Sequence, residues 1–140
     1  MISDKIVTIN ELADKIASLK NDGKKVVHCH GVFDLLHIGH INLIQKLKNY
    51  GNYVIIAVHK TEDVIKTKRN PINSLDIRIR SIKALKNVDD VISYSDVYES
   101  IQEIDFDIFI YGEEQNTDSF KKSIQYCIEN NIKYYPLKRT

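Results

Sequence analysis

The chain has 140 residues, 43% hydrophobic and 28% charged, the size of one ordinary globular domain with enough apolar side chains for a single core. Its 20 Lys and Arg stand against 19 Asp and Glu, so no global charge excess points to broad binding of nucleic acid or of a membrane surface, and any anion must be held by a local site. Cys29 and Cys127 lie far apart and no signal peptide is recognisable, which reads as reduced buried thiols in a cytoplasmic chain, and no apolar run is long enough to cross a bilayer.

Thr8-Ile9-Asn10-Glu11 has the form of a capping box, and Leu12, Ile16 and Leu19 follow at helical spacing until Gly23 supplies a stop. Val26-Val27-His28-Cys29 reads as a short buried strand that ends at His30-Gly31. Beyond a loop, Ile41, Leu43, Ile44 and Leu47 mark one face of a helix that stops near Gly51, and residues 53–58 form a second buried strand. Residues 60–73 show no clear period and carry four basic residues and one proline, which predicts an irregular loop with room for one helical turn. Ser74 can cap a helix carrying Ile79, Ile82 and Leu85; residues 90–93 give a third strand, and Asp96 to Glu99 has the spacing of another capping box. Residues 107–111 are a fourth strand, residues 119–130 a helix with Phe120, Ile124, Cys127 and Ile128 inward, and residues 133–137 a fifth strand in which one of Tyr134 and Tyr135 packs inward.

Strands alternating with helices through short connections predict an α/β fold, a Rossmann-like doubly wound sandwich with a five-stranded parallel sheet in one domain spanning residues 1–140. Such sheets bind ligands outside the carboxyl ends of their strands, where the strand order reverses, so the loop starting at His30 belongs in the site.

That loop, His30-Gly31-Val32-Phe33-Asp34-Leu35-Leu36-His37-Ile38-Gly39-His40, is the sharpest feature of the sequence. Gly31 and Gly39 allow close approach of backbone to a ligand, while His37 and His40, at i and i+3 around a helix start, can point the same way. A helix N-terminus presents free amides and a partial positive charge, and imidazoles beside it can donate to oxygens as charge builds on a reacting phosphate. Other readings of these residues are weaker. A zinc site from His28, His30, His37 and His40 lacks a thiolate pair or closed ligand spacing, so no metal ligands are assigned. Lys66, Lys68 and Arg69 compete with an ordinary solvated loop, Arg78 with a surface pair to Asp76, and Asp34 with a turn-shaping role.

The pattern Gly31-x-Phe33-Asp34-x-x-His37-x-Gly39-His40 resembles the signature of the cytidylyltransferase-like branch of the HxGH nucleotidyltransferases. The resemblance extends over nearly the whole chain, including a leading helix similar to that of the heptose-1-phosphate adenylyltransferase domain. It implies that His37 and His40 engage the phosphates of an NTP, and that an acceptor phosphate attacks the α-phosphate directly with Mg²⁺ present. By position it places Lys66 near the triphosphate and makes Arg78, at the end of the segment starting Pro71-Ile72-Asn73, a phosphate-binding arginine. Gly31, Val32, Phe33, Asp34 and Gly39 join the nucleotide site, and Gly112 and Glu113 stand where relatives form a turn near the base and ribose. Lys138-Arg139-Thr140 matches the start of the family's Arg-Thr-x-Gly-Ile-Ser-Thr-Thr motif, so Arg139 and Thr140 are nucleotide-site residues and the expectation is a chain shortened at its C-terminus. Thr61 departs from the aspartate that glycerol-phosphate enzymes place after strand two.

The resemblance thus implies transfer of a nucleoside monophosphate, from CTP first and ATP next, to a sugar, polyol or head-group phosphate with release of pyrophosphate. A homodimer is expected, with neither nucleic acid nor membrane as partner. The rival reading is a nucleotide-binding regulatory module without turnover. A flavodoxin-like signalling domain would need an acidic phospho-acceptor cluster where this chain has His30-Gly31.

Overall fold

The computed structural model describes residues 8–36, 38–66, 70–113 and 115–138. Its elements follow the order α1 (Ile9–Asn21), β1 (Val26–Gly31), α2 (Ile38–Leu47), β2 (Tyr53–His59), α3 (Thr61–Val64), α4 (Leu75–Lys83), β3 (Asp90–Tyr94), α5 (Val97–Ile101), β4 (Ile108–Gly112), α6 (Asp118–Glu129) and β5 (Lys133–Leu137). The five strands form one sheet in the order β3-β2-β1-β4-β5, and every pairing is parallel. This is the expected Rossmann-like doubly wound sandwich. Strand order reverses between β1 and β4, so the crevice of the fold opens where His30-Gly31 and Gly112 end their strands.

The period of two along the strands sorts the core onto the two faces of the sheet. Val54, Ile56 and Val58 of β2 join Val27 and Cys29 of β1 under Ile44, Leu47 and Ile82 of the helices on one side. Ile55 and Ala57 join Val26 and Phe109 under Leu12, Ile16 and Cys127 on the other. Each fully buried aliphatic side chain stabilises the fold by roughly 2 kcal/mol relative to exposure. Both cysteines are free and buried; desolvation pushes the Cys29 thiol up to about 12 and that of Cys127 to about 11.

The caps form much as the residue types predict. The amide of Glu11 donates to Thr8 Oγ1 at 3.2 Å, and the Thr8 hydroxyl donates to Glu11 Oε1 at 2.9 Å, so the reciprocal bond runs between side chains rather than back to the Thr8 amide. Ser74 and Asp96 cap α4 and α5 by accepting from the amides of Ile77 and Glu99. Gly23 ends the first helix at φ 75, a backbone angle open to glycine at little cost.

The structure corrects the start and inward face of one helix and the end of one strand, and bears out the helical turn after β2 and the single inward tyrosine of β5. Helix α6 starts at Asp118 behind a Thr117 cap, and it turns Ser123 inward while Ile128 stays 52% exposed. Ser123 is tolerated in the core because its hydroxyl donates to the Ser119 carbonyl at 2.7 Å. The loop after β2 contains the single helical turn α3, and β3 runs one residue further, to Tyr94. In the edge strand β5, Tyr134 packs on the core, whereas Tyr135 is 36% exposed and its ring lies 5.0 Å from that of Tyr50. Among the described residues no helix is long and apolar enough to cross a membrane.

Candidate nucleotide-binding site

Strand β1 delivers Gly31 to the crevice, and the chain then turns sharply at Phe33, which holds a left-handed φ of 52. A non-glycine residue in that region costs about 1 kcal/mol or more, and burial of the Phe33 ring offsets it. The ring folds back over Gly31 so closely that a Cβ there would lie 2.7 Å from Phe33 Cζ, so only glycine fits beneath it. On its other side the ring meets the His40 imidazole edge-on at 5.7 Å. His40 belongs to the first turn of α2, whose buried Gly39, Leu43 and Ile44 seat the helix on the sheet.

These residues form one wall of a cavity of about 550 Å³ over the switch point. Gly31, Val32, Phe33, Asp34 and His40 line it from the β1 side. Gly112, Gln115, Asn116 and Thr117 line it from the β4 side, Asn70 and Pro71 close it from the basic loop, and Leu43, Val64 and Phe120 add apolar surface. A cleft of mixed apolar and polar lining at a strand-order reversal is where α/β proteins bind small ligands.

The predicted residues divide by position. Gly31, Val32, Phe33, Asp34, His40 and Gly112 come together around the cavity. Gly39 is buried in the first turn of α2 beside them. Glu113 is exposed, and its amide donates to the Leu137 carbonyl at 3.1 Å. Lys66 is 72% exposed and its Nζ pairs with Asp63 at 3.2 Å. Arg78 is fully buried behind the loops, with its guanidinium on main-chain carbonyls and the Thr61 hydroxyl. The surface pair that Arg78 could have made with Asp76 is made instead by Arg80, at 3.2 Å. His37, Lys68, Arg69, Glu114, Arg139 and Thr140 lie outside the described residues.

Asp34 shapes the site by bridging two loops. Its carboxylate oxygens accept from the amides of Ile72 and Asn73, each at 2.8 Å, and its carbonyl accepts from Asn73 Nδ2 at 2.7 Å. Gln115, which sequence reasoning missed, does the same across the switch point: its Oε1 accepts from the Gly112 amide at 2.7 Å, and its Nε2 donates to the His30 carbonyl at 3.4 Å. No motif marks Gln115; only the adjacency of β1 and β4 gives it a role. Asn116, Thr117 and Phe120, which follow β4, enter the wall for the same reason, and Asn70 enters it from the loop before α4.

His30 also lines the cavity and belongs to a row of aromatic and imidazole rings. His28 and His30 share a strand face, with ring centroids 4.2 Å apart; Tyr94 meets His30 at 4.7 Å and stacks on His59 at 4.6 Å. His30 is buried with Nε2 2.9 Å from Ser100 Oγ. Burial pulls its pKa well below 6.5, and positive charge on His28 or His59 would lower it further. Burial likewise holds His28 at about 4. Both imidazoles are therefore neutral at pH 7, and among the described residues no group of three or more His, Cys, Asp and Glu is placed to hold a metal ion. Asp34, the carboxylate on the cavity wall, already spends both oxygens on amides.

Fold and cleft define a Rossmann-like α/β domain with a small-ligand cleft at its strand-order reversal. The profile of the cytidylyltransferase-like family matches residues 28–136, and the chain belongs to that family. It is 33% identical over 111 residues to the bifunctional protein HldE of Aliarcobacter butzleri (strain RM4018), a match covering 76% of this chain and 23% of that protein. The HldE protein of Salmonella arizonae is 34% identical over 93 residues, covering 65% of this chain and 20% of its own length. The chain thus spans about a fifth of the length of these curated relatives. The crystal structure of a lipopolysaccharide core biosynthesis protein from Thermoplasma volcanium GSS1 superposes with a TM-score of 0.74 and 27% identity, over 84% of this chain and 99% of that one. An Archaeoglobus fulgidus protein of unknown function shares the fold, at a TM-score of 0.66 and 17% identity over 81% of this chain and 90% of that one.

Proposed function

We propose that the cavity at the β1–β4 switch point binds an NTP and that this chain transfers its nucleoside monophosphate to a phosphorylated small molecule. A phosphate oxygen of the acceptor attacks the α-phosphorus, a new phosphoanhydride forms, the α–β bond breaks, and pyrophosphate leaves. The observation that carries this reading is the placement of the His40 imidazole, held by the Phe33 ring at 5.7 Å in the first turn of α2 on the cavity wall. There it can donate to phosphate oxygens as charge builds on them, with the positive end of the α2 dipole beside it. By family position His37 shares that task, and Lys66, Arg139 and Thr140 approach the phosphates.

Mg²⁺ enters this proposal as the counter-ion that a triphosphate carries with it. CTP is the first nucleotide to test, on the Gly31 to His40 motif, and ATP the second, on the leading helix and the segment 71–78. A sugar phosphate is the favoured acceptor, because the Thermoplasma volcanium relative is described as a lipopolysaccharide core biosynthesis protein. The setting proposed is the cytoplasm, where NTPs are abundant, and the working form a homodimer.

The test is a pyrophosphate-release screen of four NTPs against phosphorylated sugars, polyols and head groups, on this chain and on one continued past Thr140 with the family's closing motif. Release with one NTP and one acceptor class is the expected outcome. NTP binding without release under any acceptor would identify a nucleotide-binding module without turnover.

A further inference from the structure

Among the fully buried side chains Arg78 is the largest, and it lies behind the cavity rather than on its wall. A guanidinium taken out of water costs several kcal/mol unless its N–H groups find acceptors. Here every nitrogen donates. Nε bonds the Asn73 carbonyl at 3.2 Å, Nη1 the carbonyls of Val32 at 3.0 Å and His59 at 2.7 Å, and Nη2 the Thr61 hydroxyl at 2.8 Å.

The acceptors come from three separate segments: the loop after β1, the end of β2 with the start of α3, and the turn before α4. Asp34 ties the first to the third again through the Ile72 and Asn73 amides, so Asn73 is held by its carbonyl from one side and by its amide from the other. Burial lowers the pKa of the guanidinium and the nearby Asp34 carboxylate opposes that shift; arginine stays charged throughout.

We infer that Arg78 is a positioning residue that clamps the His-motif loop to the loop following β2, and that it acts on the reaction through Val32, Asn73 and Thr61 rather than by touching phosphate. This deepens the functional reading above and rests on it for the catalytic consequence. Lysine cannot substitute, because a single ammonium is a point charge that cannot span carbonyls on two loops. Thr61, which departs from the acceptor-site aspartate of glycerol-phosphate enzymes, gains a role as the anchor of Nη2.

The test compares wild type, Arg78→Lys, Thr61→Val and the double variant, first by amide hydrogen exchange without ligand. The clamp predicts that the Ile72 and Asn73 amides exchange about 10-fold faster or more in Arg78→Lys while those of β4 keep their rates. In turnover with the accepted NTP it predicts a kcat loss of ~30-fold with KM within ~3-fold, since positioning is lost and binding is not. Thr61→Val should lose ~3-fold alone and nothing further in the Arg78→Lys background, because both act through one bond network. A phosphate-contacting arginine would raise KM, leave Ile72 and Asn73 protected, and make the two variants additive, and that result overturns the clamp. If Arg78→Lys does not fold, as judged by circular dichroism, Thr61→Val carries the comparison through the same amides and the same kcat. A wild type that releases no pyrophosphate would sink the functional reading alone, because the exchange measurement decides the clamp without turnover.

Discussion

At the N-terminal edge of the sheet, short polar side chains close the strand starts from nearby. The Val54 amide donates to Asp89 at 2.7 Å, the Val26 amide to Asp107 at 2.8 Å, and the Lys25 amide to Asn52 at 2.8 Å. Asp90, 1% exposed, accepts from Lys15 Nζ at 3.1 Å and from the Tyr53 hydroxyl, pinning α1 to β2 and β3. At the C-terminal edge the loops are irregular, Phe33 is left-handed, and buried His28 Nε2 and His30 Nδ1 lack a protein partner among the described residues. What order exists there comes from side chains reaching across loops: Arg78, Asp34 and Gln115. The contrast shows where stability and function are lodged. One edge saturates its polar groups, while the other leaves a cleft and accepts strain and desolvated imidazoles around it.

Acidification should break the two edges unequally and gives the largest effect. The unfolded chain protonates His28 near 6.5 and the folded chain near 4, so between these values the unfolded state binds more protons and stability is lost as the pH is lowered. The loss reaches about 3 kcal/mol by pH 4 from His28 alone, and His30 adds to it in the same direction. Urea unfolding between pH 7.5 and 4.5 measures this; His28→Leu should flatten the profile, and an unchanged slope would remove the imidazole row as the acid-labile feature.

His40→Ala should cost at least ~100-fold in kcat, the scale of a lost transition-state donor, with stability changed by less than about 1 kcal/mol. Steady-state pyrophosphate release beside thermal melting separates the two, and near-normal turnover would take His40 out of the mechanism. Asp90→Ala tests the opposite edge: it should cost about 2 kcal/mol of stability by stripping Lys15 and Tyr53 of their buried partner, with turnover per folded molecule intact. Ser74→Ala removes the cap of α4 and should cost about 1 kcal/mol by denaturant midpoint. Ile128→Lys, on the exposed face of α6, should shift the midpoint by no more than ~0.5 kcal/mol; a loss like that of a core residue would mean this face is covered in the working form.

The fold was largely legible because its signals are local and periodic. The continuous apolar run of β2, the Thr8, Ser74 and Asp96 caps and the Gly23 stop each depend on residues within a turn or two, and each appears where its residue type predicts. Where a local rule misled, a hydrogen bond decided the outcome: Ser123 went inward because the Ser119 carbonyl satisfies its hydroxyl, and Ile128 stayed outside. Half of the cavity was legible too, since Gly31 to Asp34 and His40 follow β1 directly and any parallel sheet must deliver them to its open end.

The other half depended on which strands became neighbours. Gln115 bonds a carbonyl 85 positions away and Arg78 one 46 positions away, and neither partner has a signature, because a main-chain carbonyl is the same group at every residue. Sequence by itself determined the strand and helix content, the caps and the glycine-histidine loop, all set by interactions within a few residues. Tertiary structure alone decided that β1 and β4 lie side by side, that Gln115 reaches the His30 carbonyl, and that Arg78 is buried among carbonyls. The reason is physical: periodicity records which face of an element is apolar, whereas the convergence of polar groups from distant segments exists only once those faces have packed.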